Sequence, residues 1–178
     1  MNSEVTIKNN EVLLIRKAVA QDAEKMIAQL KMVGDETQFL SFSGEEFVAT
    51  VEEEKKIIAD HNDSDNQIMI LGIIDDEIAC VMNVMASHKS RLKHVGEFGL
   101  SVSKKHWNKG VGRAMINYTI DWAKENEILK KLNLQVNVTN VKAIKLYESL
   151  GFKHEGRQAM DIYLNGEYLD GILMGMVL

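Results

Sequence analysis

Proline is absent from this sequence of 178 residues, and cysteine occurs only once, as Cys80. Without proline, each helix has to begin and end through side-chain caps and glycine. A single cysteine forms no internal disulfide, which favours a reducing cytoplasm as the location of the protein. Because Cys80 lies in an apolar stretch, we expect it in the core and not as a nucleophile.

Long apolar runs and an excess of basic residues are missing as well. No stretch approaches the ~18 apolar residues of a membrane span, and residues 1–12 lack the apolar segment of a secretory signal. The net charge of −5 argues against a nucleic-acid-binding protein, which normally carries a basic stripe. The five histidines are scattered without the spacing of metal ligands, so we expect no metal. Neither a nucleic acid nor a membrane is an expected partner.

The composition is that of a globular protein, with 46% apolar residues and no repeat or linker. We therefore expect one domain over residues 1–178, with a core from about residue 12 onward. The apolar patterns predict seven strands, at residues 12–19, 67–74, 78–86, 95–102, 132–138, 156–164 and 167–177. They also predict four helices, at residues 22–34, 43–60, 110–127 and 141–150. The predicted fold is α/β, with a mixed, mostly antiparallel central sheet flanked by these helices.

Cap signals set the predicted starts of the first two helices. Asp22 is a candidate N-cap for the first helix. Ser43 and Glu46 have the spacing of a capping box, which places the start of the second helix at Ser43. Asn165 and Gly166 predict a tight hairpin between the last two strands.

A turn that contains glycine follows the strand at 95–102 and opens the helix at 110–127. Backbone N–H groups at a helix start attract anions such as diphosphate, and Gly110 and Gly112 leave the backbone accessible. Positive charge is added by four neighbours, Lys104, Lys105, Lys109 and Arg113. A lone G-x-G at a helix start is often just a turn, and on its own it favours the turn over a phosphate site. The Walker A loop and the dinucleotide fingerprint do not match, which disfavours a nucleotide-binding protein.

Residues 107–112 (WNKGVG) resemble the acyl-CoA-binding motif Q/R-x-x-G-x-G/A of the GNAT superfamily of N-acyltransferases. Trp107 stands at the Gln/Arg position, which removes one side-chain donor. Residues 140–152 (NVKAIKLYESLGF) are similar to the second motif of the family, N-x-x-A-x-x-L-Y-x-x-x-G-F. The predicted order of helices and strands also matches the family fold over residues 12–178.

The resemblance implies acetyl-CoA as cosubstrate and indicates where it binds. In the family, the strands on either side of the glycine turn and its helix splay apart, and the pantetheine arm lies between them. Main-chain contacts to pantetheine are implied for Leu100, Ser101 and Val102. A hydrogen bond to the arm is implied for Asn140, which is equally a candidate helix N-cap. The pyrophosphate is implied to lie against Asn108, Lys109, Gly110, Val111, Gly112 and Arg113.

The resemblance also implies two catalytic residues. Tyr147 is the candidate acid that donates toward the departing CoA sulfur, and the alternative is a packing aromatic. A tyrosine pKa of about 10 exceeds a thiol pKa of about 8.5, so Tyr147 needs a lowered pKa or mainly hydrogen-bonds the thiolate. Glu97 is the candidate base, directly or through water, and the alternative is a carboxylate that orients the amine. Some relatives carry the base at the position of Gln135, whose amide cannot take up a proton.

The predicted function is acetyl-CoA-dependent transfer of an acetyl group to a primary amine by direct attack. The acceptor amine stays open among a protein N-terminus, a polyamine or other small amine, and an amine antibiotic. Acidic residues in the segment 34–42, between the first two helices, favour a cationic acceptor. A non-catalytic acyl-CoA-binding sensor is the alternative function. Whether the protein forms a homodimer is a further open question.

Overall fold

An eight-stranded sheet runs through the computed structural model, which describes residues 2–178. The strands are β1 (Ser3–Thr6), β2 (Val12–Lys17), β3 (Ile68–Ile74), β4 (Glu77–Ala86), β5 (Val95–Val102), β6 (Lys131–Asn137), β7 (Lys153–Leu164) and β8 (Glu167–Val177). The helices are α1 (Ala23–Glu36), α2 (Val51–Asn62), α3 (Val111–Glu125) and α4 (Val141–Ser149). The order across the sheet is β1-β2-β3-β4-β5-β6-β8-β7, and every neighbouring pair is antiparallel except β5 and β6.

The sheet separates two apolar clusters. On one face, α3 and α4 pack against alternate residues of the central strands, such as Ile70, Met82 and Leu132. On the other face, α1 and α2 pack against Met69 and Leu71 of β3. β3 is buried along nearly its whole length because both of its faces are covered. None of the helices in residues 2–178 is both long and apolar enough to cross a membrane.

The structure confirms the predicted α/β fold, with eight strands where about seven were expected. The additional strand is β1, which has four residues and pairs with β2 at one edge of the sheet. The hairpin predicted at Asn165 and Gly166 joins β7 to β8, and both residues have positive φ. Both chain ends therefore contribute strands to the same sheet.

The helix start predicted at Ser43 is wrong. Ser43 and Glu46 do form the two hydrogen bonds of a capping box, at 2.8 and 3.4 Å, but only a turn forms there. The Gly44 N–H donates to Asp35 Oδ1 at 2.9 Å, which holds the segment back against α1. The helix α2 begins after Thr50, whose Oγ1 accepts a hydrogen bond from the Glu53 N–H at 3.2 Å. The second of two capping boxes in the segment is thus the one that starts a helix.

Asp22 precedes α1 as predicted, but its carboxylate does not cap the helix. The Arg16 guanidinium donates to both carboxylate oxygens, at 2.6 and 2.7 Å, and the Val19 N–H donates at 2.8 Å. Burial acts to raise the pKa of Asp22, but the Arg16 and Val19 donors outweigh it and hold that pKa below its usual range. This ion pair joins the end of β2 to the start of α1.

Candidate active site

β5 and β6 run side by side only at their starts. Their parallel ladder ends at the pair Glu97 and Asn133, and both strands continue without further pairing to each other. The gap that opens between them is the splay expected from the resemblance. Unpaired strand edges of this kind can hydrogen-bond an extended ligand as an added strand would.

Two residues of β5 turn their backbone groups toward this gap. The Ser103 N–H donates to the Ala79 carbonyl of the β4 side at 3.0 Å. Because hydrogen-bonded positions alternate along an antiparallel pair, Ser101 also faces β4. Leu100 and Val102 therefore face the gap, and Ser101 does not direct its main chain there.

Trp107 ties the glycine turn to the end of β5. Its indole Nε1–H donates to the Val102 carbonyl at 2.7 Å. The Val102 carbonyl thus already accepts a hydrogen bond, while the N–H of Val102 remains directed at the gap. The tryptophan thus has a structural contact of its own at the position where the family motif has Gln or Arg.

The glycine turn presents unpaired N–H groups at the start of α3. Asn108 and Gly110 have φ values of 61° and 99°, in the left-handed region that glycine adopts without strain. Gly110 is the N-cap and supplies no side-chain cap, so the N–H groups of Val111, Gly112 and Arg113 lack intrahelical partners. These donors, together with the positive end of the helix dipole, fit a phosphate group.

Carboxylates already pair two of the four cations around this turn. Lys109 Nζ donates to Glu11 Oε1 and Oε2 at 2.8 and 3.1 Å, and Lys105 pairs with Glu77. Arg113 donates to Ser149 Oγ at 2.7 Å and, like Lys104, forms no ion pair within residues 2–178. The positive charge open to a phosphate is therefore smaller than the sequence indicates. Glu11, which lies 98 positions before Lys109, carried no local signal of this contact.

Asn140 caps α4. Its Oδ1 accepts a hydrogen bond from the Ala143 N–H at 3.3 Å. The side-chain oxygen is thus occupied, and a contact with the cofactor arm would have to come from the Nδ2 donor.

Tyr147 on α4 lies in an aromatic cluster beneath β5. Its ring centroid is 6.0 Å from that of Phe98 and 6.1 Å from that of Phe152, in edge-to-face contacts. Burial raises the pKa of Tyr147 to about 12, so the hydroxyl stays protonated and keeps a proton that it can donate in a hydrogen bond. Burial likewise raises the pKa of the Cys80 thiol, which leaves it protonated in the core.

The open face of β5 to β8 carries polar side chains. The main helix contacts on this face are those of α1 and α2 with β3, β4 and β5, and they leave the rest of the face uncovered. Glu97, Asn133, Gln135 and Glu155 line a cleft of about 220 Å³ there, and no lysine or arginine of the described chain lines it. Glu97 is exposed and stands where β5 and β6 separate. Neither Asn133 nor Glu155 was predicted as a site residue. For Asn133 a signal was present, since it alternates with Leu132 and Leu134 in the pattern of a strand with one polar face.

The segment 34–42, expected near the acceptor, lies at the end of α1 and beside the glycine turn. Glu36 Oε2 accepts a hydrogen bond from the Lys104 N–H at 2.7 Å. The segment does not line the 220 Å³ cleft. A wider groove of about 490 Å³ lies elsewhere, beside Glu11 and Asp75, and contains none of the predicted site residues. Within residues 2–178, no group of three His, Cys, Asp or Glu side chains could hold a metal ion.

Comparison with protein-family models gives a match to the acetyltransferase (GNAT) family over residues 33–152, well over half of the chain. The chain belongs to the GNAT acetyltransferase family. A GNAT-family acetyltransferase structure from Streptococcus pneumoniae is 35% identical, covers 93% of this chain and 99% of its own, and superposes with a TM-score of 0.91.

Two curated GNAT relatives are similar over shorter stretches. The L-amino acid N-acetyltransferase AaaT of Escherichia coli is 30% identical over 108 residues, 61% of this chain and 67% of that protein. The spermidine N(1)-acetyltransferase of Vibrio cholerae is 31% identical over 106 residues, 60% of this chain and 56% of that protein. The chain thus spans little more than half of the length of the Vibrio enzyme.

This GNAT acetyltransferase is an enzyme that moves an acetyl group from acetyl-CoA to an amine acceptor. The prediction of acetyl-CoA-dependent N-acetylation is therefore confirmed, while the acceptor stays unspecified. The gap between β5 and β6 and the uncapped start of α3 fit the pantetheine arm and the pyrophosphate of that cosubstrate.

Proposed function

We propose that this GNAT acetyltransferase acetylates a positively charged small amine bound on the open face of β5 to β8. The observation that carries the proposal is the position of Glu97, at the point where β5 and β6 separate and on the wall of the polar cleft. A carboxylate there meets an amine that approaches the gap from the open face. The absence of a lysine or arginine among the residues that line the cleft also favours a cationic acceptor.

Backbone groups hold the cosubstrate in this proposal. The N–H groups of Val111, Gly112 and Arg113 bind the pyrophosphate, and the main chain of Leu100 and Val102 binds the pantetheine arm. The pair of Lys109 with Glu11 positions the turn, and Arg113, in the first turn of α3, forms no ion pair within residues 2–178. Acetyl-CoA supplies an activated acyl group, and attack by the amine forms the C–N bond as the C–S bond breaks.

Tyr147 donates a hydrogen bond to the departing sulfur and keeps its proton. With a tyrosine pKa of about 12 and a thiol pKa of about 8.5, full proton transfer is uphill by roughly 5 kcal/mol. Of the two alternatives in the sequence analysis, hydrogen bonding to the thiolate is the one that this burial favours. The final proton on CoA then comes from solvent.

Glu97 takes the proton that the amine must lose. Its exposure lets water relay that proton, so the carboxylate need not touch the attacking nitrogen. A high-pKa amine is less than ~0.1% neutral near pH 7, so such an acceptor depends most on a base. The names of the Vibrio and Escherichia coli relatives support small amines as acceptors, and the cleft favours those with net positive charge.

We extend the proposal to the chain as a whole. Residues 1–178 act as one catalytic domain, and a cytoplasmic location accords with the single, buried Cys80. Whether the protein forms a homodimer stays an open question, which light scattering of the purified protein answers.

Release of free thiol from acetyl-CoA, measured against a panel of peptides, polyamines, amino acids and aminoglycosides, tests the proposal. We expect turnover with small cationic amines. Glu97→Gln should lower kcat/KM for a high-pKa amine by ~10²-fold, with partial recovery as the pH rises. Tyr147→Phe should lower kcat and leave the Kd of acetyl-CoA unchanged, the pattern of a contact made in the transition state.

The exposed Glu127 of the loop after α3 provides the matched control, and Glu127→Gln should keep the wild-type rate. A kcat/KM ratio between Glu97→Gln and wild type that stays constant with pH, for amines of high and low pKa, would remove Glu97 from the proton pathway. Turnover confined to peptide N-termini would overturn the proposed acceptor class.

A further inference from the structure

The strand β7 contains a bulge at Glu155. The register against β8 pairs His154 with Met174 and then Gly156 with Leu173, so Glu155 has no partner of its own on β8. An extra residue of this kind leaves the ladder, and its side chain is redirected. Here the side chain of Glu155 is directed onto the open face of the sheet, where it lines the polar cleft.

Gly175 of β8 makes room for the redirected carboxylate. A Cβ atom at Gly175 would lie 2.5 Å from Glu155 Oε1 and 2.6 Å from its Cδ, closer than real Cβ contacts. The φ of Gly175 is not positive, so its backbone would accept other residues. A glycine at position 175 therefore allows the Glu155 carboxylate to approach the backbone closely, and no turn requires it.

The two oxygens of Glu155 have different surroundings. Oε2 accepts a hydrogen bond from Lys131 Nζ at 2.6 Å, which fixes the carboxylate between β6 and β7. Oε1 accepts no hydrogen bond within residues 2–178, and Glu155 lines the cleft. A half-exposed pair such as Glu155 and Lys131 contributes less than about 1 kcal/mol to stability, so stability alone does not account for the bulge and the glycine.

Register places Glu155 opposite Glu97 across the cleft. Glu97 pairs with Asn133, and Asn133 pairs with Gly175, so these three residues form one row across β5, β6 and β8. Two strand spacings separate Glu97 from Gly175, about 10 Å in all. Asn133 lies between them, and its Oδ1 is buried without a hydrogen-bond partner among the described residues. The cleft thus has a carboxylate at each side and Asn133 between them.

We propose that Glu155 is a specificity-determining residue that binds a second cationic group of the acceptor, so that the enzyme prefers diamines to monoamines. The inference rests on the proposed function, in which Glu97 serves the reacting amine. With the backbones of Glu97 and Gly175 two strand spacings apart, the two carboxylates suit an acceptor whose two nitrogens are joined by a short aliphatic chain. The distal ammonium donates to Glu155 Oε1, while Oε2 stays with Lys131.

The test compares trimethylenediamine with n-propylamine, which differ only by the second amino group. Wild-type enzyme should show the lower KM for the diamine. Glu155→Gln should raise that KM by ~10-fold, with kcat kept and n-propylamine unaffected, because one charged hydrogen bond is lost away from the reacting nitrogen. Gly175→Ala, which keeps the charge but displaces the carboxylate, should raise the same KM.

Glu167→Gln, on the same hairpin but at its tip, is the matched control and should leave both amines unchanged. Equal effects of Glu155→Gln on the two amines, or an effect on kcat alone, would overturn the inference while the proposed function stands. Calorimetric binding of the diamine to the CoA-bound protein gives a readout without turnover, and wild-type affinity in Glu155→Gln would also overturn it. Absence of turnover with every small amine would instead overturn the proposed function.

Discussion

Two halves of one sheet differ in what covers them. From β2 to β4, α1 and α2 cover one face and α3 covers the other, and β3 is apolar at almost every position. From β5 to β8, the face beneath α3 and α4 is apolar. The opposite face, which α1 contacts at β5, carries Glu97, Asn133 and Gln135. The closed half supplies the core, and the open half exposes the polar row where we place the acceptor.

The comparison shows that the order of apolar and polar residues along a strand indicates more than a β conformation. It also indicates whether helices cover one or both faces of that strand. Burial on both faces leaves no position in β3 for a polar side chain. In β6, leucine and valine alternate with asparagine and glutamine because only one face meets a helix. Substitutions in the two halves should therefore affect different properties, stability in one and binding or rate in the other.

The largest effect is expected in the closed half. Leu71 of β3 is fully buried, on the face of the sheet that α1 and α2 cover. Leu71→Ala should lower the free energy of unfolding by about 2–5 kcal/mol, through lost burial and the cavity left behind. Gln135→Ala, in the exposed row of the open half, should change it by less than about 0.5 kcal/mol. Urea unfolding of both variants gives the comparison, and equal losses would contradict the distinction between the halves.

The next effect concerns the start of α3. Gly112→Glu should weaken acetyl-CoA binding by at least about 100-fold, since a carboxylate beside the pyrophosphate brings like charges together. Gly112→Ala is the control, because its Cβ would make only ordinary contacts, at 3.6 Å from Leu146 Cδ2. Calorimetry measures both affinities. Unchanged affinity in Gly112→Glu would exclude this turn as the pyrophosphate site, whereas a loss confined to the charged variant would support it.

The smallest effect depends on pH. His106 ends the short 3-10 helix Lys104–His106 that leads into the glycine turn. Both of its ring nitrogens are buried without a hydrogen-bond partner in the described part of the chain. Burial first, and then Lys105 and Lys109, lower the pKa of His106. Because the unfolded chain binds the proton first, stability should fall as the pH drops below about 6.5, by at most about 1.4 kcal/mol per pH unit.

His106→Leu should remove this part of the acid sensitivity and cost little stability at pH 7, since the buried ring makes no hydrogen bond. His94→Gln, at an exposed position, should keep the wild-type pH dependence. Thermal unfolding between pH 5.5 and 7 measures the difference. Parallel curves for wild type and His106→Leu would show that another group causes the acid sensitivity.

Most of the fold was predicted from the sequence, because the spacing of apolar residues and the residue types of turns depend only on neighbouring positions. β5 was predicted with its exact ends, and the turn at Gly166 follows from residue type. The start of α2 was missed because two capping boxes compete, and the contact of Gly44 with Asp35 decides between them. That contact depends on how the chain folds back, which capping propensity does not describe.

The candidate site was predicted in part, for the same reason. The glycine turn and Tyr147 lie in motifs that are continuous in the sequence. Glu155 reaches the cleft only through a bulge and through Gly175, which follows 20 positions later. Glu11 meets Lys109 across 98 positions. Tertiary contacts of this range carry no periodic or local signature.

The early end of the ladder between β5 and β6 has a consequence for amide hydrogen exchange. The N–H groups of Leu100 and Val102 face a gap and have no ladder partner on β6, so solvent deuterium should reach them faster than their neighbours Ser101 and Ser103. A ligand that fills the gap as an added strand would slow exchange at alternate residues only. Along β5, the cosubstrate would then leave a two-residue pattern of protection that reveals which edge of the strand it occupies.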